Sequence, residues 1–450
     1  AFNIDYKFNC RTALNSRTFG LWASRDALGI LDTQYVPDSV IMALRPNRDL
    51  LTSTFDNIGN ETRLIHRYFI GEIESVLLVG LRLYKGFTVK NQGTADSSSE
   101  ANFSFENKLD NYGSQFKFPS FNKAFFIENL IRVNDCISLT PGFRYDHIVT
   151  QSEGYFHAVV NDSLHFTSSE NKLDRDIFLA GLGGSYKCFV GGELYANFSQ
   201  NYRAINFNDM QVINSNIVVD PELEDEKGFN IDLGLRGKVW GAIEYDVSLF
   251  YLDYSNRIGY IQKYYTPEDT PEQNLAWTSY RLSTNIGDSR TLGLESYIGW
   301  DVLKTFTDVE NHQLNVFLNT SYQNGTYVRS EEKALIGNKV ELNPDLNVKF
   351  GLQFQYKNFT SSVLYSHTSS QFADAQNTLT PTPNALFGEI PAYSVVDLSM
   401  KYHKGKLSLE AGVNNLLNES YFTRRASGYP GPGIIPSDKR NCYLSLQLKI

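Results

Sequence analysis

The sequence predicts an all-β fold, a transmembrane antiparallel β-barrel with about 17 strands in this chain. Three observations predict it: segments that alternate apolar and polar residues, short turns that alternate with long polar loops, and an aromatic content of 14% in 450 residues. A barrel with lipid outside and a wet lumen has one apolar and one polar face along each strand. A soluble sandwich also alternates, but Lys, Glu, Asp, Asn and Gln on the polar rows are too polar for its small closed core.

The last strand shows this alternation clearly. In CYLSLQLKI, residues 442–450, the even positions hold Cys, Leu, Leu, Leu and Ile, and this period of two predicts a strand. The same alternation recurs in four upstream segments, 314–319, 346–356, 396–403 and 407–414. Phe317 interrupts the polar row of the first of these segments. Within 346–356 we expect Leu352 to face lipid and Gln353 to face the lumen.

Short and long connections alternate along the chain. Short turns are predicted at 9–11, 71–72, 133–135, 357–358 and 404–405 and near Lys187 and Lys238, with a longer one at 303–311. Long loops are predicted at about 25–60, 88–118, 150–174, 204–225, 258–280, 366–392 and 418–440. Outer-membrane barrels have short periplasmic turns and long external loops. The first and last strands should both run inward, so the number of strands in this chain should be odd. Because single-chain bacterial barrels have an even number of strands, we expect further strands outside these 450 residues.

Several other functions are excluded or left without support. The net charge of −9 and the lack of a basic stripe argue against a nucleic-acid partner. The seven histidines have no metal-ligand spacing, and no nucleophile and base are placed as in an enzyme. The cysteines, Cys10, Cys136, Cys188 and Cys442, are expected to be free thiols, although a disulfide stays open in an oxidising compartment.

Four stretches resemble the TonB-dependent outer-membrane receptors. They are LYANFSQNYRAINF at 194–207, FYLDYSNRIGYI at 250–261, TNIGDSRTLGLES at 284–296 and AGVNNLLNESYFTRR at 411–425. Together they carry a likeness that extends over essentially the whole chain. The stretch YFTRRASGYPGPGIIPSD at 421–438 resembles the last external loop of the ferric citrate receptor subgroup, and 218–237 and 380–398 also fit that subgroup.

The resemblance implies a 22-stranded barrel with a plugged lumen, and the family also carries a TonB box. Residues 1–450 are therefore expected to be the C-terminal portion of such a barrel, with the plug domain and first strands not present. The implied function is active transport of a ferric chelate, ferric citrate first, across the outer membrane of a Gram-negative bacterium. Iron would enter only as a bound chelate, with no cofactor.

The implied partners are the TonB–ExbB–ExbD complex, acting through the plug, the ferric chelate, outer-membrane lipid and lipopolysaccharide, and other outer-membrane proteins. Three alternatives stay open at this stage. The same kind of receptor could take another siderophore, haem or a sugar. The barrel could instead be a structural subunit of a larger outer-membrane assembly, or it could be a passive porin.

Four arginines are the candidate ligand-binding residues. Arg424 and Arg425 lie in the Pro- and Gly-rich loop before the last strand, and Arg203 and Arg257 each end an ascending strand. Arginine suits a carboxylate-rich ferric chelate because its planar fork donates two parallel hydrogen bonds. The alternative is structural: Arg424 and Arg425 would pair with Glu419 and Asp438, and the other two would be ordinary rim charges.

Overall fold

The computed structural model describes most of the chain as one β-sheet. The described residues are 1–29, 47–106, 112–160, 163–189, 191–207, 209–210, 217–264, 279–307, 312–381, 385, 387–426 and 433–449. Within them the main sheet has 18 strands, and two further two-stranded sheets lie in connecting loops. No helix in these ranges is both long enough and apolar enough to span a membrane.

The strands are numbered in chain order. They are β1 (Phe2–Lys7), β2 (Thr12–Gly29), β3 (Arg48–Ile70), β4 (Ile73–Ala95), β5 (Tyr112–Arg132), β6 (Ile137–Val160), β7 (Ser163–Phe189), β8 (Gly192–Arg203), β9 (Ile217–Val219), β10 (Glu226–Val239), β11 (Ile243–Tyr264), β12 (Ser279–Asp301), β13 (His312–Arg329), β14 (Leu346–Tyr356), β15 (Phe359–Thr368), β16 (Gln371–Phe372), β17 (Glu389–Ile390), β18 (Tyr393–Lys404), β19 (Leu407–Asn414), β20 (Phe422–Ala426), β21 (Gly433–Pro436) and β22 (Asn441–Leu448). The helix α1 (Val302–Phe306) and a 3₁₀ turn (Lys333–Leu335) complete the elements.

The main sheet is an antiparallel meander. Each strand from β1 to β8 pairs with the next, and the order continues β8, β10, β11, β12, β13, β14, β15, β18, β19 and β22. The remaining strand, β9, lies parallel to the loop end of β12. The sheet of 17–18 strands is in the range that the sequence predicts. In the described ranges β1 pairs only with β2, and β22 only with β19.

Short connections lie at one end of the sheet, here the turn end, and long ones at the other, the loop end. The turns predicted at 9–11, 71–72, 133–135, 357–358 and 404–405 all separate consecutive paired strands. The longer connection near 303–311 begins with α1, in which the Asp301 side chain accepts a hydrogen bond from the Lys304 N–H. This alternation agrees with the predicted topology.

Several predicted loop boundaries are wrong, because the strands of the first half are far longer than a bilayer requires. Strands β3 and β4 have 23 residues each, roughly 75 Å of extended chain, whereas a bilayer core is about 30 Å thick. Within the predicted loops, 25–29, 48–60, 88–95, 112–118, 258–264 and 279–280 are therefore strand, whereas 30–46, 107–111 and 265–278 lie outside the described residues. The segment 150–174 is a paired hairpin apart from 161–162, which lie outside the described residues. The polar composition of these segments indicated loops, but polar strands that extend beyond the membrane pair equally well in water.

The register assigns the apolar and polar rows to opposite faces. Phe350, Leu352 and Phe354 are exposed and lie opposite Leu318, Val316 and Leu314, which extends one apolar row across β13 and β14. We call the face that carries these rows the apolar face, and the other the polar face. On β22, Leu444, Leu446 and Leu448 are 73, 68 and 66% exposed on the apolar face. Large exposed apolar side chains in rows fit contact with lipid.

Phe317, which breaks the polar row of β13, lies over a glycine of the neighbouring strand. Phe317 pairs with Gly351, and a Cβ placed on that glycine would lie 2.0 Å from the Phe317 ring. The glycine therefore gives the ring room to lie flat along the polar face. A glycine inside a strand often marks such a close approach.

The buried core lies under the loops rather than inside the membrane-crossing part of the sheet. Ile286, Tyr327, Leu335 and Val340 are at most 5% exposed and form one cluster at the loop end. Ala375 of the loop between β15 and β18 packs against this cluster. These contacts hold the loop that follows β13 against its neighbour.

Candidate functional site

Arg203 lies at the loop end of β8 and is held between two carboxylates. Its Nη2 lies 2.9 Å from Oδ1 of Asp209, and its Nη1 donates to Oε1 of Glu226 at 3.0 Å. Asp209 also accepts from the Asn206 N–H, which ties this arginine to the loop after β8. The side chain is still 39% exposed. Arg203 thus braces the rim and keeps part of its guanidinium open to solvent.

Arg257 is brought next to Arg203 through Glu226. The same Oε1 of Glu226 accepts from the Ile258 N–H at 2.9 Å, beside a break in the β11–β12 register. The Arg257 guanidinium lies 5.9 Å from the Tyr327 ring centroid and 3.6 Å from Glu341. This contact with the ring is within the range of a cation–π interaction. The sequence-predicted pair therefore shares one patch of the rim.

A second arginine–carboxylate pair anchors the loop after β8. Arg175 Nη1 donates to Oδ1 of Asp225 at 2.7 Å, and the same carboxylate accepts from the Ile205 N–H and the Tyr202 hydroxyl. The side chains of Arg175 and Asp225 are only 12 and 10% exposed. A buried pair with several further hydrogen bonds fixes geometry rather than offering a binding surface.

Arg425 is a tether between two external loops. Its Nη1 donates to the carbonyl of Ala385 at 3.0 Å and its Nη2 to that of Glu389 at 2.8 Å. The guanidinium also lies 5.1 Å from the Phe422 ring centroid. Burial lowers the pKa of Arg425, an effect that Asp374 opposes. These contacts connect the β20–β21 hairpin to the loop between β15 and β18.

Arg424, by contrast, is exposed on the same hairpin. In the part of the chain that the structure describes, neither Arg424 nor Arg425 forms an ion pair with Glu419 or Asp438. The predicted structural pairing with those carboxylates is therefore not found in these ranges. Of the prolines in this loop, Pro430 and Pro432 lie outside the described residues, and Pro436 ends β21.

The loops that carry these arginines contact one another directly. Asn377 accepts from the Lys339 N–H at 2.7 Å and donates to the Lys339 carbonyl at 2.9 Å. Asn338 donates to the carbonyl of Ala375 at 2.9 Å. Contacts thus run from the loop after β13, which carries Glu341, the ion-pair partner of Arg257, to the loop that Arg425 tethers. A continuous layer of loops therefore connects the surroundings of Arg257 with those of Arg425.

Sequence reasoning missed a group of arginines deeper on the polar face. Arg63, Arg82 and Arg144 lie on β3, β4 and β6 with side chains 48, 41 and 35% exposed. Each of these arginines is next in sequence to residues of the apolar face. The alternation of apolar and polar residues could therefore have placed them on the polar face. On β4, for example, Arg82 lies between the exposed Leu81 and Leu83.

These polar-face arginines outnumber the nearby carboxylates. Glu61 lies 3.7 Å from Nη1 of Arg82 and also bonds Arg63, and Asp146 accepts from Nη2 of Arg144 at 2.9 Å. Arg17 faces Glu61 across the β2–β3 pair. Three ion-paired guanidiniums, those of Arg63, Arg82 and Arg144, thus share two carboxylates, and both carboxylates are more buried than the arginines that they bond.

Arg82 and Arg144 line one cleft of about 350 Å³, together with Tyr84, Ser120 and Asn122. The Arg144 guanidinium lies 5.5 Å from the Phe126 ring centroid, which limits its movement. Among the described residues the one ion pair of Arg82 spans 3.7 Å, and its side chain is 41% exposed, so part of its guanidinium is open to the cleft. An excess of planar donors in a partly enclosed space suits a polycarboxylate anion.

Nothing in the described ranges resembles a protein metal site. No group of three or more His, Cys, Asp or Glu side chains there could hold a metal ion. Cys10, Cys136 and Cys442 are free and exposed, as predicted, whereas the side chain of Cys188 lies outside the described residues. That iron enters only within a chelate stays a prediction.

Comparison with solved structures shows the fold. The unliganded ferric citrate transporter FecA is 21% identical with a TM-score of 0.74, and 99% of this chain aligns with 60% of that one. The ferric-catecholate import receptor Fiu of E. coli K12 is 14% identical (TM-score 0.70), and the siderophore receptor PiuA of Acinetobacter baumannii is 12% identical (0.72). Fiu and PiuA each align with 99% of this chain, and this chain spans 63% of the length of each of them.

A family model identifies the chain more directly. The model of the TonB-dependent receptor-like β-barrel matches residues 1–416. The two faces therefore correspond to lipid and lumen, and the loop end to the cell exterior. Because the match extends over most of the chain, this protein belongs to the TonB-dependent receptor β-barrel family, which comprises transport receptors of the Gram-negative outer membrane and not enzymes.

Proposed function

We propose that this chain is the C-terminal portion of the barrel of an active-transport receptor that imports ferric citrate or a closely related ferric carboxylate, energised through the TonB–ExbB–ExbD complex. Iron enters as part of the chelate and is not coordinated by the protein. The observation that carries the proposal is the excess of arginines over carboxylates on the lumen face, where the partly open Arg82 lies in one cleft with Arg144, which Asp146 holds through two hydrogen bonds.

The chemistry of the ligand supports this assignment. A ferric citrate complex is a compact anion with exposed carboxylates, and arginine binds carboxylates through two parallel hydrogen bonds. The rim arginines Arg203 and Arg424 are partly open, so they meet the anion before it reaches the lumen. The 21% identity to the ferric citrate transporter FecA supports the fold of such a receptor and leaves the ligand to experiment.

The proposal is tested by ferric citrate binding to the purified full-length protein. A charge-assisted hydrogen bond contributes about 1.5–3 kcal/mol, so Arg82→Ala should weaken binding roughly 10- to 150-fold. Arg82→Lys should recover only part, because an ammonium cannot reproduce the planar fork. The control is Arg290→Ala, which removes an arginine that bonds Asp253 at 2.9 Å on the apolar face.

Competition separates the ligand classes. Unlabelled ferric citrate should displace the bound chelate, whereas a ferric catecholate, haem and a disaccharide should not. If Arg82→Ala binds ferric citrate as tightly as the unmodified protein, the lumen arginines are not the site. If a catecholate, haem or a sugar displaces the ligand more strongly than citrate does, the carboxylate assignment fails while the receptor assignment stands.

A further inference from the structure

The apolar face of β2 and β3 carries four polar side chains in adjoining positions. Ser16 pairs with Thr62 and Thr18 pairs with Asn60, so the four residues form two neighbouring rows of the register. They belong to the apolar face because Leu64, two residues from Thr62 on the same strand, is exposed on that face. We call these four residues the polar block. Polar groups in contact with hydrocarbon are unfavourable unless they are hydrogen-bonded.

Apolar residues frame the polar block on the same face. The adjoining positions on β1, β2, β3 and β4 are filled by Phe2, Ile4, Leu14, Ile58, Leu64, Leu81 and Leu83. All of these except Leu14 are large exposed hydrophobic residues. On the same face of β12 and β13, by comparison, Ser296 lies opposite Thr320 without an amide beside them. The polar block is therefore a local exception within an apolar surface.

The aromatic residues nearby give the depth of the polar block. Aromatic girdles mark both interfaces of an outer-membrane barrel. Tyr68 lies toward the turns, and Trp22 and Phe87 lie toward the loops, on either side of Asp56. Thr62 lies midway along β3 between Tyr68 and Asp56. Over about six residues, a strand tilted by about 45° rises about 14 Å, which is half of a hydrocarbon core of about 30 Å. The polar block therefore meets hydrocarbon and not headgroups.

Hydrogen bonds inside the polar block use all of its side-chain hydrogens but one. Nδ2 of Asn60 donates to Oγ of Ser16 at 3.2 Å and to Oγ1 of Thr18 at 2.9 Å. The Thr62 hydroxyl donates to Oδ1 of Asn60 at 3.0 Å, so the 2.8 Å contact between Ser16 and Thr62 has Ser16 as its donor. In the described part of the chain, the hydroxyl hydrogen of the exposed Thr18 then has no acceptor.

A second copy of this chain can supply the missing acceptor. Lipid tails have no acceptor, and water is absent at this depth, whereas Ser, Thr and Asn side chains hydrogen-bond between membrane-embedded proteins. A two-fold axis along the membrane normal brings residues of equal depth together, so the polar block of one copy faces the same block of the other. The block has no charge that would repel its copy. It is two strands wide, about 10 Å, which suits the narrow line along which two convex barrels touch.

We propose that two copies of this chain associate within the outer membrane through the polar block, with Thr18 of each copy donating a hydrogen bond to the Asn60 side-chain oxygen of the other. The framing apolar residues pack around this contact and exclude lipid from it. The contact lies on the outside of the barrel, so it is independent of the lumen and of the proposed ferric citrate binding.

The test measures association of the full-length receptor in proteoliposomes. In a background with the native cysteines replaced by serine, copies are labelled with donor or acceptor dye through Ser99→Cys, and energy transfer is followed as the lipid-to-protein ratio rises. The double substitution Thr18→Val and Asn60→Leu should weaken association about 3-fold or more, because hydrogen bonds between the copies are lost. The control is Thr320→Val, which removes a hydroxyl from the same face on β13 and should leave association unchanged.

Disulfide trapping in native outer membranes locates the contact. In the same cysteine-free background, oxidation should crosslink Thr18→Cys into a dimer of the receptor and leave Thr320→Cys monomeric. The proposal is overturned if the double variant associates as strongly as the unmodified protein while its heat-modifiable mobility shows a folded barrel. It also fails if both cysteine variants crosslink equally, or if Thr18→Cys is trapped with a different protein and no dimer forms. A receptor that stays monomeric at every lipid-to-protein ratio would mean that the polar block faces lipid.

Discussion

At the residue scale, neighbouring arginines with the same chemistry have different environments. Arg425 donates to the carbonyls of Ala385 and Glu389, so its guanidinium is occupied by the protein itself. Arg424 is exposed one position earlier on the same hairpin. A guanidinium that already satisfies backbone acceptors positions a loop, whereas an exposed one can bind an anion. The two residues should therefore respond differently to substitution.

We predict that replacing both Arg424 and Arg425 with Ala weakens ferric citrate binding to the full-length receptor. One engaged arginine contributes about 1.5–3 kcal/mol, which corresponds to a roughly 10- to 150-fold loss. Replacement of both by Lys should recover only part of the affinity. The barrel should still fold, because Arg424 is exposed and the two hydrogen bonds of Arg425 go to a connecting loop rather than to the main sheet. Unchanged affinity in the double variant would remove this loop from the binding site.

The single variants separate the two roles. Arg424→Ala alone should lower affinity and leave the loops intact. Arg425→Ala should instead expose the loop between β15 and β18 to added protease, because two bonds to its backbone are lost. Limited proteolysis of folded receptor measures this, with Arg424→Ala as the matched control. Equal protease sensitivity in both variants would contradict the tether.

At the element scale, the register of a strand decides which side chains meet lipid. Leu352 lies opposite Val316 on the apolar row, and Gln353 lies opposite Asn315 on the polar row. A shift of one residue would exchange the two faces along the whole strand. The pairing of Phe317 with Gly351 fixes this register further, since only glycine leaves room for the ring.

We predict that Leu352→Arg damages assembly more than Gln353→Arg. Arginine on the lipid face near the bilayer midplane costs about 2–4 kcal/mol, whereas the lumen face accepts charge. Heat-modifiable mobility in gels reports the folded fraction of each variant. Equal folded fractions would mean that the two faces are wrongly assigned.

A second element-scale prediction concerns the glycine under Phe317. Gly351→Val should destabilise the barrel by about 1–3 kcal/mol, the usual cost of forcing a side chain into filled space. The added Cβ would otherwise lie 2.0 Å from the Phe317 ring. Adding Phe317→Ala should restore part of the loss, as measured by urea unfolding of the refolded barrel. No rescue in the double variant would show that the two residues do not compete for space.

At the scale of the whole molecule, the meander and its connections give the sheet two chemically different ends. The turn end is compact and carries Cys10 and Cys136, both exposed. The loop end carries the buried cluster around Tyr327 and the interlocked loops. Such asymmetry is typical of outer-membrane receptors, which recognise ligands outside and meet short periplasmic turns inside.

We predict that cysteines placed in the loops, such as Ser99→Cys and Thr380→Cys, react with a membrane-impermeant thiol reagent on intact cells. The native Cys10 and Cys136 should react only after the outer membrane is permeabilised, and Asn358→Cys should behave like them. Mass spectrometry of the labelled protein identifies the modified thiols. Labelling of Asn358→Cys on intact cells would invert the topology.

Local features determined much of the fold from sequence alone. The period of two identified the strands, their faces and the positions of Leu352 and Gln353, because side-chain alternation is a property of each strand by itself. Short turns between alternating segments identified the meander and its direction. Strand ends were less accurate, since polar residues beyond the membrane still paired, as in β6 and β7. The motif resemblance identified the family, which the match over residues 1–416 confirmed.

Only the tertiary structure decided which arginines are occupied and which are open. Arg175 meets Asp225, 50 positions away, and Arg425 meets the carbonyl of Ala385, 40 positions away. No pattern within one strand encodes such contacts, because they depend on how separate loops fold over the same rim. For the same reason, the alternation placed Arg82 and Arg144 on polar rows, but only the pairing of β4, β5 and β6 brought them into one cleft.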